Sequence, residues 1–201
     1  MKSLTLAALG RALENNPKKS WIDSSLSPAG VLVLVYLKDR EYHVLLNKRS
    51  DFVDQHRGEI AFPGGAMDPR DGSIKETALR ETHEEMGVDP QDVRLLGELD
   101  DVPTISNYLI NPFVATVRYP YFFNPNSDEV AEVIEVPLRH LMDRANHRIE
   151  TKVQNTRLVN GVSYGYRGNF VFGATAKILT RLLEIVQEAT QEETECPQKT
   201  V

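Results

Sequence analysis

From Ala29 to Leu37 the chain reads AGVLVLVYL, an apolar, β-branched run with no polar residue to give it a solvent face. Such a run predicts a strand buried on both sides. The polar pair Arg40-Glu41 makes a turn, and Tyr42 to Asn47 (YHVLLN) returns as the hairpin partner. A polar loop from Arg49 to Gly58 leads to a short strand at Glu59 to Phe62, then to Pro63-Gly64-Gly65. Upstream, residues 3–15 alternate apolar and polar groups at helical spacing until Pro17 closes the segment. Downstream, strands are expected at Val93 to Leu99, Phe113 to Tyr119 and Ile134 to Val136. Pro137 suits the first turn of a short helix whose apolar face is Leu138, Leu141 and Met142. Residues 148–153 and 162–172 read as extended. A last helix over about 173–189 carries Ile178, Leu179, Leu182, Leu183 and Val186 at core spacing, and the polar tail beyond it is expected to be disordered. Strands mixed with a few helices and no internal repeat predict one layered α/β or α+β domain over 28–189. A helix and lead-in over 1–27 precede it, and the tail 190–201 follows.

The segment between the two glycines and Val88, GGAMDPRDGSIKETALRETHEEMGV, holds the candidate chemistry. Ser73 and Glu76 have capping-box spacing, residues 74–86 contain no Gly or Pro, and Gly87 stands where a left-handed cap is wanted. The helix is therefore placed at 74–86. At about 100° per residue, Glu81 and Glu85 differ in direction by about 40°, and Glu84 lies about 60° to the other side of Glu81. The three carboxylates share one face within about 6 Å of axial rise. Charges that close either stand in solvent or surround a divalent cation; hard Mg²⁺ and Mn²⁺ take oxygen ligands and leave positions for water and phosphate. Arg80 can pair with Glu84 at i, i+4, and the glycines upstream let backbone approach a bound ion.

Arg80-Glu81-Thr82-His83-Glu84-Glu85-Met86-Gly87-Val88 resembles the core of the Nudix box, R-E-U-x-E-E-x-G-U with U apolar, and Gly65 falls at the first glycine of that box. Thr82 departs from the apolar position, the loop from Gly65 to Arg80 is one residue longer than in the standard box, and Asp71 stands near the place of an upstream Glu. The resemblance implies a Nudix-type α/β/α sandwich with a mixed central β-sheet, and hydrolysis of a pyrophosphate bond with Mg²⁺ or Mn²⁺. It implies Glu81, Glu85 and Glu84 as metal ligands, with Gly65 at the same site, and Arg80 as the residue that orients the glutamates. Glu59, on the strand before the glycine turn, is a further candidate ligand or base. Which glutamate is the base stays open.

Leu45 to Gly65, LLNKRSDFVDQHRGEIAFPGG, is similar to the segment before the box in coenzyme A pyrophosphatases, L-L-T-x-R-S-x3-R-x3-G-x3-F-P-G-G. Asn47 replaces the Thr and Asp54 the second Arg. Asp128-Glu129-Val130, Val136-Pro137-Leu138 and Phe172 to Ala176 resemble later segments of that group. The resemblance implies coenzyme A or an acyl-CoA as substrate, giving 3′,5′-ADP and a 4′-phosphopantetheine product. Arg49, Arg57, Phe62, Gly64 and Gly65 are the candidate substrate contacts. An aspartate at 54 reverses a charge that an Arg would offer to an anionic part of the substrate, and His56 and Arg57 stand nearby.

Charge and cysteine content narrow the classes. A net charge of −6 lacks the basic excess of a nonspecific nucleic-acid binder, so no nucleic-acid partner is expected. No apolar run is long enough to span a bilayer, and Arg11 and Glu14 interrupt the N-terminal one, so an amphipathic helix is expected there in place of an export signal. Cys196 is the sole cysteine, which fits a cytoplasmic setting. A homodimer is the default oligomer. The aromatic group Tyr119, Tyr121, Phe122 and Phe123 is read as core packing or an oligomer contact. Two rival functions stay in view: a Nudix hydrolase of an ADP-sugar, dinucleotide or RNA 5′ end, and a non-catalytic nucleotide-sensing module.

Overall fold

The computed structural model describes residues 4–52, 57–154 and 157–195. Its spine is strand β1 (Ser27–Lys38), whose eight residues from 29 to 36 are all buried. Successive side chains of a strand point to opposite faces. Val31, Val33 and Val35 accordingly enter one hydrophobic cluster, and Leu32, Leu34 and Tyr36 enter another. The first cluster is roofed by helix α1 (Leu6–Asn15), through Ala8, Leu9, Ala12 and Leu13, and by helix α4 (Gly173–Glu195), through Ile178, Leu179 and Leu182. The second cluster takes Ala78 and Met86 from helix α2 (Ile74–Met86). Helices on both faces of one sheet make the α/β/α sandwich. Because α1 contributes four buried residues to the common core, the N-terminal helix is an integral part of the fold.

β1 exchanges partners along its length. Its first eight residues pair in parallel with β7 (Tyr108–Thr116). On its other edge it pairs antiparallel first with β4 (Gly64–Ala66) at residues 29–31, then with β2 (Glu41–Arg49) at residues 35–38. The sheet order is β3 (Ile60–Ala61), β2, β1, β7, β5 (Arg94–Glu98), with β6 (Val102–Pro103) on β7 and β8 (Val130–Pro137) on β2. The sheet is therefore mixed. Strands β9 (His147–Gln154), β10 (Arg157–Tyr166) and β11 (Asn169–Val171) form a separate antiparallel sheet. Helix α3 (Leu138–Met142) follows β8, with Pro137 as its N-cap.

Several expected boundaries shift. The strand placed at 113–119 begins five residues earlier, because Tyr108 to Pro112 pair with β1 although their own pattern is weak. Gly64 and Gly65, read as part of a turn with Pro63, begin a strand, Gly64–Ala66, held by β1. The last helix runs on to Glu195: its apolar spacing stops at Ala189, but the Gln and Glu residues that follow are good helix formers with no Gly or Pro among them. Tyr119 stacks on Tyr36 with ring centroids 5.5 Å apart, and Tyr121 and Phe123 pack beside the second cluster, whereas Phe122 is exposed. Among the described residues, no helix is long and apolar enough to cross a membrane.

α2 lies unusually close to β1. A Cβ built on Gly30 would stand 2.4 Å from the carbonyl oxygen of Ile74 and 3.0 Å from the amide nitrogen of Ala78. Both are helix backbone and cannot rotate away. Gly30→Ala is therefore expected to destabilise the fold by about 2–3 kcal/mol, the cost of overpacking a core contact. Urea unfolding of the variant checks this, and an unchanged midpoint would refute the close contact.

Candidate active site

The sequence sets α2 by local chemistry at both ends. Ser73 Oγ accepts from the amide of Glu76 at 3.2 Å, while the Glu76 carboxylate reaches back to the amide of Gly72 at 2.9 Å, one residue beyond the expected Ser73. Gly87 closes the helix with φ of 68° and donates to His83 O at 2.8 Å. Ala78, Thr82 and Glu85 recur at i, i+4 and i+7 and make the stripe that faces the sheet. Thr82 is tolerated at its buried place because its hydroxyl donates to Ala78 O at 2.7 Å.

Glu85 thus occupies a core position and is 2% exposed. Its Oε2 accepts from Asn47 Nδ2 at 2.9 Å and from the amide of Gly64 at 3.1 Å. Its Oε1 lies 3.6 Å from Arg49 Nη1. Burial pushes the Glu85 carboxyl up to about 7, against the pull of the Gly64 amide and the Arg49 charge, and the nearby charges of Glu81 and Glu129 add to the rise. Glu81 is partly buried, and burial raises its carboxyl too, against the pull of Arg80. Glu84 is half exposed.

Arg80 organises the outer side of the helix. Its Nε and Nη2 each donate at 2.9 Å to the two oxygens of Asp71, a bidentate pair, while Nη1 reaches Glu81 Oε1 at 2.7 Å and Glu84 Oε2 at 3.0 Å. Asp71 also accepts from the Thr77 hydroxyl at 2.9 Å and the Asp68 amide at 3.0 Å. The hydrogen bonds from Arg80 hold the Asp71 carboxyl well below the usual carboxylate range. The longer loop before the helix therefore supplies the anchor for the arginine.

The glycine turn is built for close approach. A Cβ on Gly65 would stand 2.6 Å from the carboxylate carbon of Glu81, and one on Gly64 would meet Gly30 O at 2.3 Å. Arg49 ends β2 beside Glu85. The backbone register carries Glu59 next to it, with the Arg49 amide donating to Glu59 O at 2.9 Å. Arg57 is exposed in the turn before Glu59. Phe62 leaves the set of substrate contacts: it is 3% exposed and packs in the cluster under α1 and α4. Asp54 and His56 lie outside the described residues.

Glu129 joins the site without having been singled out as a site residue. The segment before it docks on the end of α2, with the Asn124 amide donating to Met86 O and the Asn126 amide to Glu85 O, both at 2.9 Å. Ser50 fastens the same loop to β2, its amide donating to Glu129 O and its hydroxyl to Asp128 O. Among the described residues, no three His, Cys, Asp or Glu side chains are already gathered at metal-ligating separation. The donors nevertheless suit a hard cation, since Glu81, Glu84, Glu85 and Glu129 offer carboxylate oxygens.

The Nudix domain family model matches residues 26–155, the stretch that carries this whole arrangement. The chain belongs to the Nudix family. It is 40% identical over 142 residues to the uncharacterized Nudix hydrolase NudL of Pectobacterium atrosepticum, covering 69% of this chain and 72% of that protein. The NudL of Yersinia enterocolitica is 34% identical over 173 residues, covering 85% and 87%. In fold, the chain is similar to the Nudix hydrolase RenU of M. Smegmatis, with a TM-score of 0.54 at 20% identity, covering 87% and 90%. A MutT/nudix family protein of Enterococcus faecalis gives 0.55 at 17% identity, covering 87% and 67%. The Nudix hydrolase box of this chain is thus the loop and helix from Gly65 to Val88, with Asp71 and Thr82 accommodated as described.

Because the folded carboxyl of Glu85 sits near 7, above the ordinary 4.5, its protonated form favours folding. That stability is present below about pH 4.5 and is lost as the pH rises through about 7. In chelator, Glu85→Gln is therefore expected to melt near the wild type at pH 4.5 and above it at pH 8. The gain should be on the order of 1–3 kcal/mol. A melting difference that stays flat from pH 4.5 to 8 would contradict the burial of this charge.

Proposed function

We propose that this Nudix hydrolase is a divalent-metal-dependent pyrophosphohydrolase acting on coenzyme A or an acyl-CoA. One observation carries the hydrolytic reading: a buried carboxylate, Glu85, is fixed by two donors beside Glu81, at a glycine turn with no room for a side chain. Glu81 and Glu85, with Glu84, would hold Mg²⁺ or Mn²⁺ next to Gly65. A bound cation of this kind offsets phosphate charge, acidifies a coordinated water and stabilises the leaving phosphate.

The residues of the chain supply the rest. Arg80, locked to Asp71, keeps Glu81 and Glu84 aligned along the helix. A carboxylate takes the proton as water attacks phosphorus and the bridging P–O bond breaks. Glu59 and Glu129 stand as further candidates for that role. Arg49 is partly exposed beside Glu85 and is positioned to meet a phosphate oxygen, and Arg57 is the second basic contact candidate.

The coenzyme A reading is supported by where its resembling segments meet. Arg49 and Ser50, from the stretch before the box, touch Glu85 and the Asp128-Glu129 backbone respectively. Segments far apart in sequence thus converge on the catalytic helix. The products would be 3′,5′-ADP and a 4′-phosphopantetheine compound.

Turnover of coenzyme A, ADP-ribose, a diadenosine polyphosphate and triphosphorylated RNA, each with Mg²⁺ and with Mn²⁺, tests both levels. Coenzyme A is expected to be cleaved fastest, and Glu85→Gln to lose at least about 100-fold in kcat while remaining folded. Preference for another diphosphate would overturn the coenzyme A reading and leave the hydrolase; a fully active Glu85→Gln would overturn the role of the helix. Arg49→Ala is expected to raise KM by about 10-fold or more, the loss of one charge-assisted contact, with a smaller effect on kcat. An unchanged KM would remove Arg49 from the substrate site.

A further inference from the structure

Strand β2 runs through Val44, Leu45 and Leu46, all fully buried, and then places an amide, Asn47, at a position that is 1% exposed. Its register partners are Ala61 on β3 and Val133 on β8, neither of which has a polar side chain to offer. A buried amide left uncompensated costs about 1–3 kcal/mol. Compensation comes from the helix layer, where Asn47 Nδ2 donates to Glu85 Oε2 at 2.9 Å. Asn47 Oδ1 is buried with no partner among the described residues. The amide is therefore oriented by the carboxylate, and its own acceptor is left unmatched. The flipped amide would set two acceptor oxygens against each other.

The Gly64 amide, on β4, donates to that same Oε2 at 3.1 Å. Two fixed donors on one oxygen prevent the carboxylate from turning about its terminal bond without breaking both. Oε1 is left 3.6 Å from Arg49 Nη1.

We infer that Asn47 is a positioning residue of the active site: together with the Gly64 amide it locks Oε2 of Glu85 and presents Oε1 as the working oxygen. This rests on the metal-hydrolase reading above. Asn47 touches neither cation nor substrate in this role; it acts through the orientation of Glu85, as partners of metal-binding carboxylates do.

Threonine and valine have nearly the same shape and differ by one hydroxyl donor, so Asn47→Thr and Asn47→Val separate positioning from packing. On the purified full chain, Mn²⁺ affinity is measured by electron paramagnetic resonance, alongside kcat and KM for the best diphosphate of the panel and a urea unfolding curve. Asn47→Val is expected to stay folded, to bind Mn²⁺ about 10–100-fold more weakly and to lose kcat by a similar factor, with KM little changed. Asn47→Thr is expected to recover both to within about fivefold of the wild type. Equal Mn²⁺ affinity and equal kcat in the two folded variants, whether high or low, would overturn the positioning role and leave the hydrolase reading intact. A wild-type chain that binds no Mn²⁺ would instead overturn the metal reading, and the positioning role with it.

Discussion

The close seating of helix α2 on strand β1 is the constraint from which the site follows. Gly30 has no side chain, and that absence lets the backbone of Ile74 and Ala78 come to the sheet at a distance no Cβ allows. The helix then sits low enough for its inward stripe to reach the next strand over. Glu85, two turns from Ala78 on that stripe, meets Asn47 of β2 and the amide of Gly64. Gly64 is itself held against β1, with Leu32 N donating to Pro63 O at 2.9 Å alongside it. Had the helix been lifted by one methyl group, those two hydrogen bonds would lengthen and the carboxylate would be left buried and unpaired. An unpaired buried charge costs several kcal/mol, far more than the packing gained.

The helix separates its three glutamates by environment. Glu85 faces the sheet, Glu81 lies along the boundary against Gly65, and Glu84 stands toward solvent. Arg80 binds the outer two and is in turn clamped by Asp71, so one guanidinium links a loop carboxylate to two helix carboxylates. Its planar fork suits the bidentate pair to Asp71, which a lysine would not reproduce. The result is a gradient of burial across about one turn of helix. Burial raises the carboxyls of both inner glutamates, that of Glu85 to about 7.

Most of this arrangement is legible in the sequence where its causes are local. The limits of α2 follow from Ser73 and Gly87, which act within one turn, and the buried character of β1 follows from its unbroken apolar run. The shared face of Glu81, Glu84 and Glu85 follows from helical geometry alone. What the sequence does not display is which of the three is buried, because that depends on Gly30 and Asn47, remote in the chain. Asn47 stands out only as a departure from a resembling pattern. Asp71 is visible as a displaced acid, but its grip on Arg80 depends on the fold of the intervening loop. Glu129 stands in a segment with a resembling pattern, but its place beside α2 is set by backbone hydrogen bonds from Asn124 and Asn126 to the end of that helix, which the pattern does not display. Phe62 errs the other way: adjacency to the two glycines suggests a contact, while the ring packs in the core under α1 and α4.

Two positions in this fold break the hydrophobic pattern at the same point in space. Glu85 takes a place on a helix stripe where a leucine would pack, and Asn47 takes a place on a strand where its neighbours are valine and leucine. Either alone would be a defect. Together they satisfy each other across the interface of helix and sheet, yet the match is incomplete: Asn47 Oδ1 stays unpaired and the Glu85 carboxyl remains pushed up to about 7. A pair selected for stability alone would be replaced by two apolar side chains, which commonly gains a few kcal/mol over a buried polar contact. The sequence instead keeps an arrangement that fixes one oxygen of Glu85 and leaves the other 3.6 Å from Arg49 Nη1. Local rules of folding are expected to fail where a site is built. Here the two failures adjoin, and the residual charge they leave is of the sign and hardness that a divalent cation would complement.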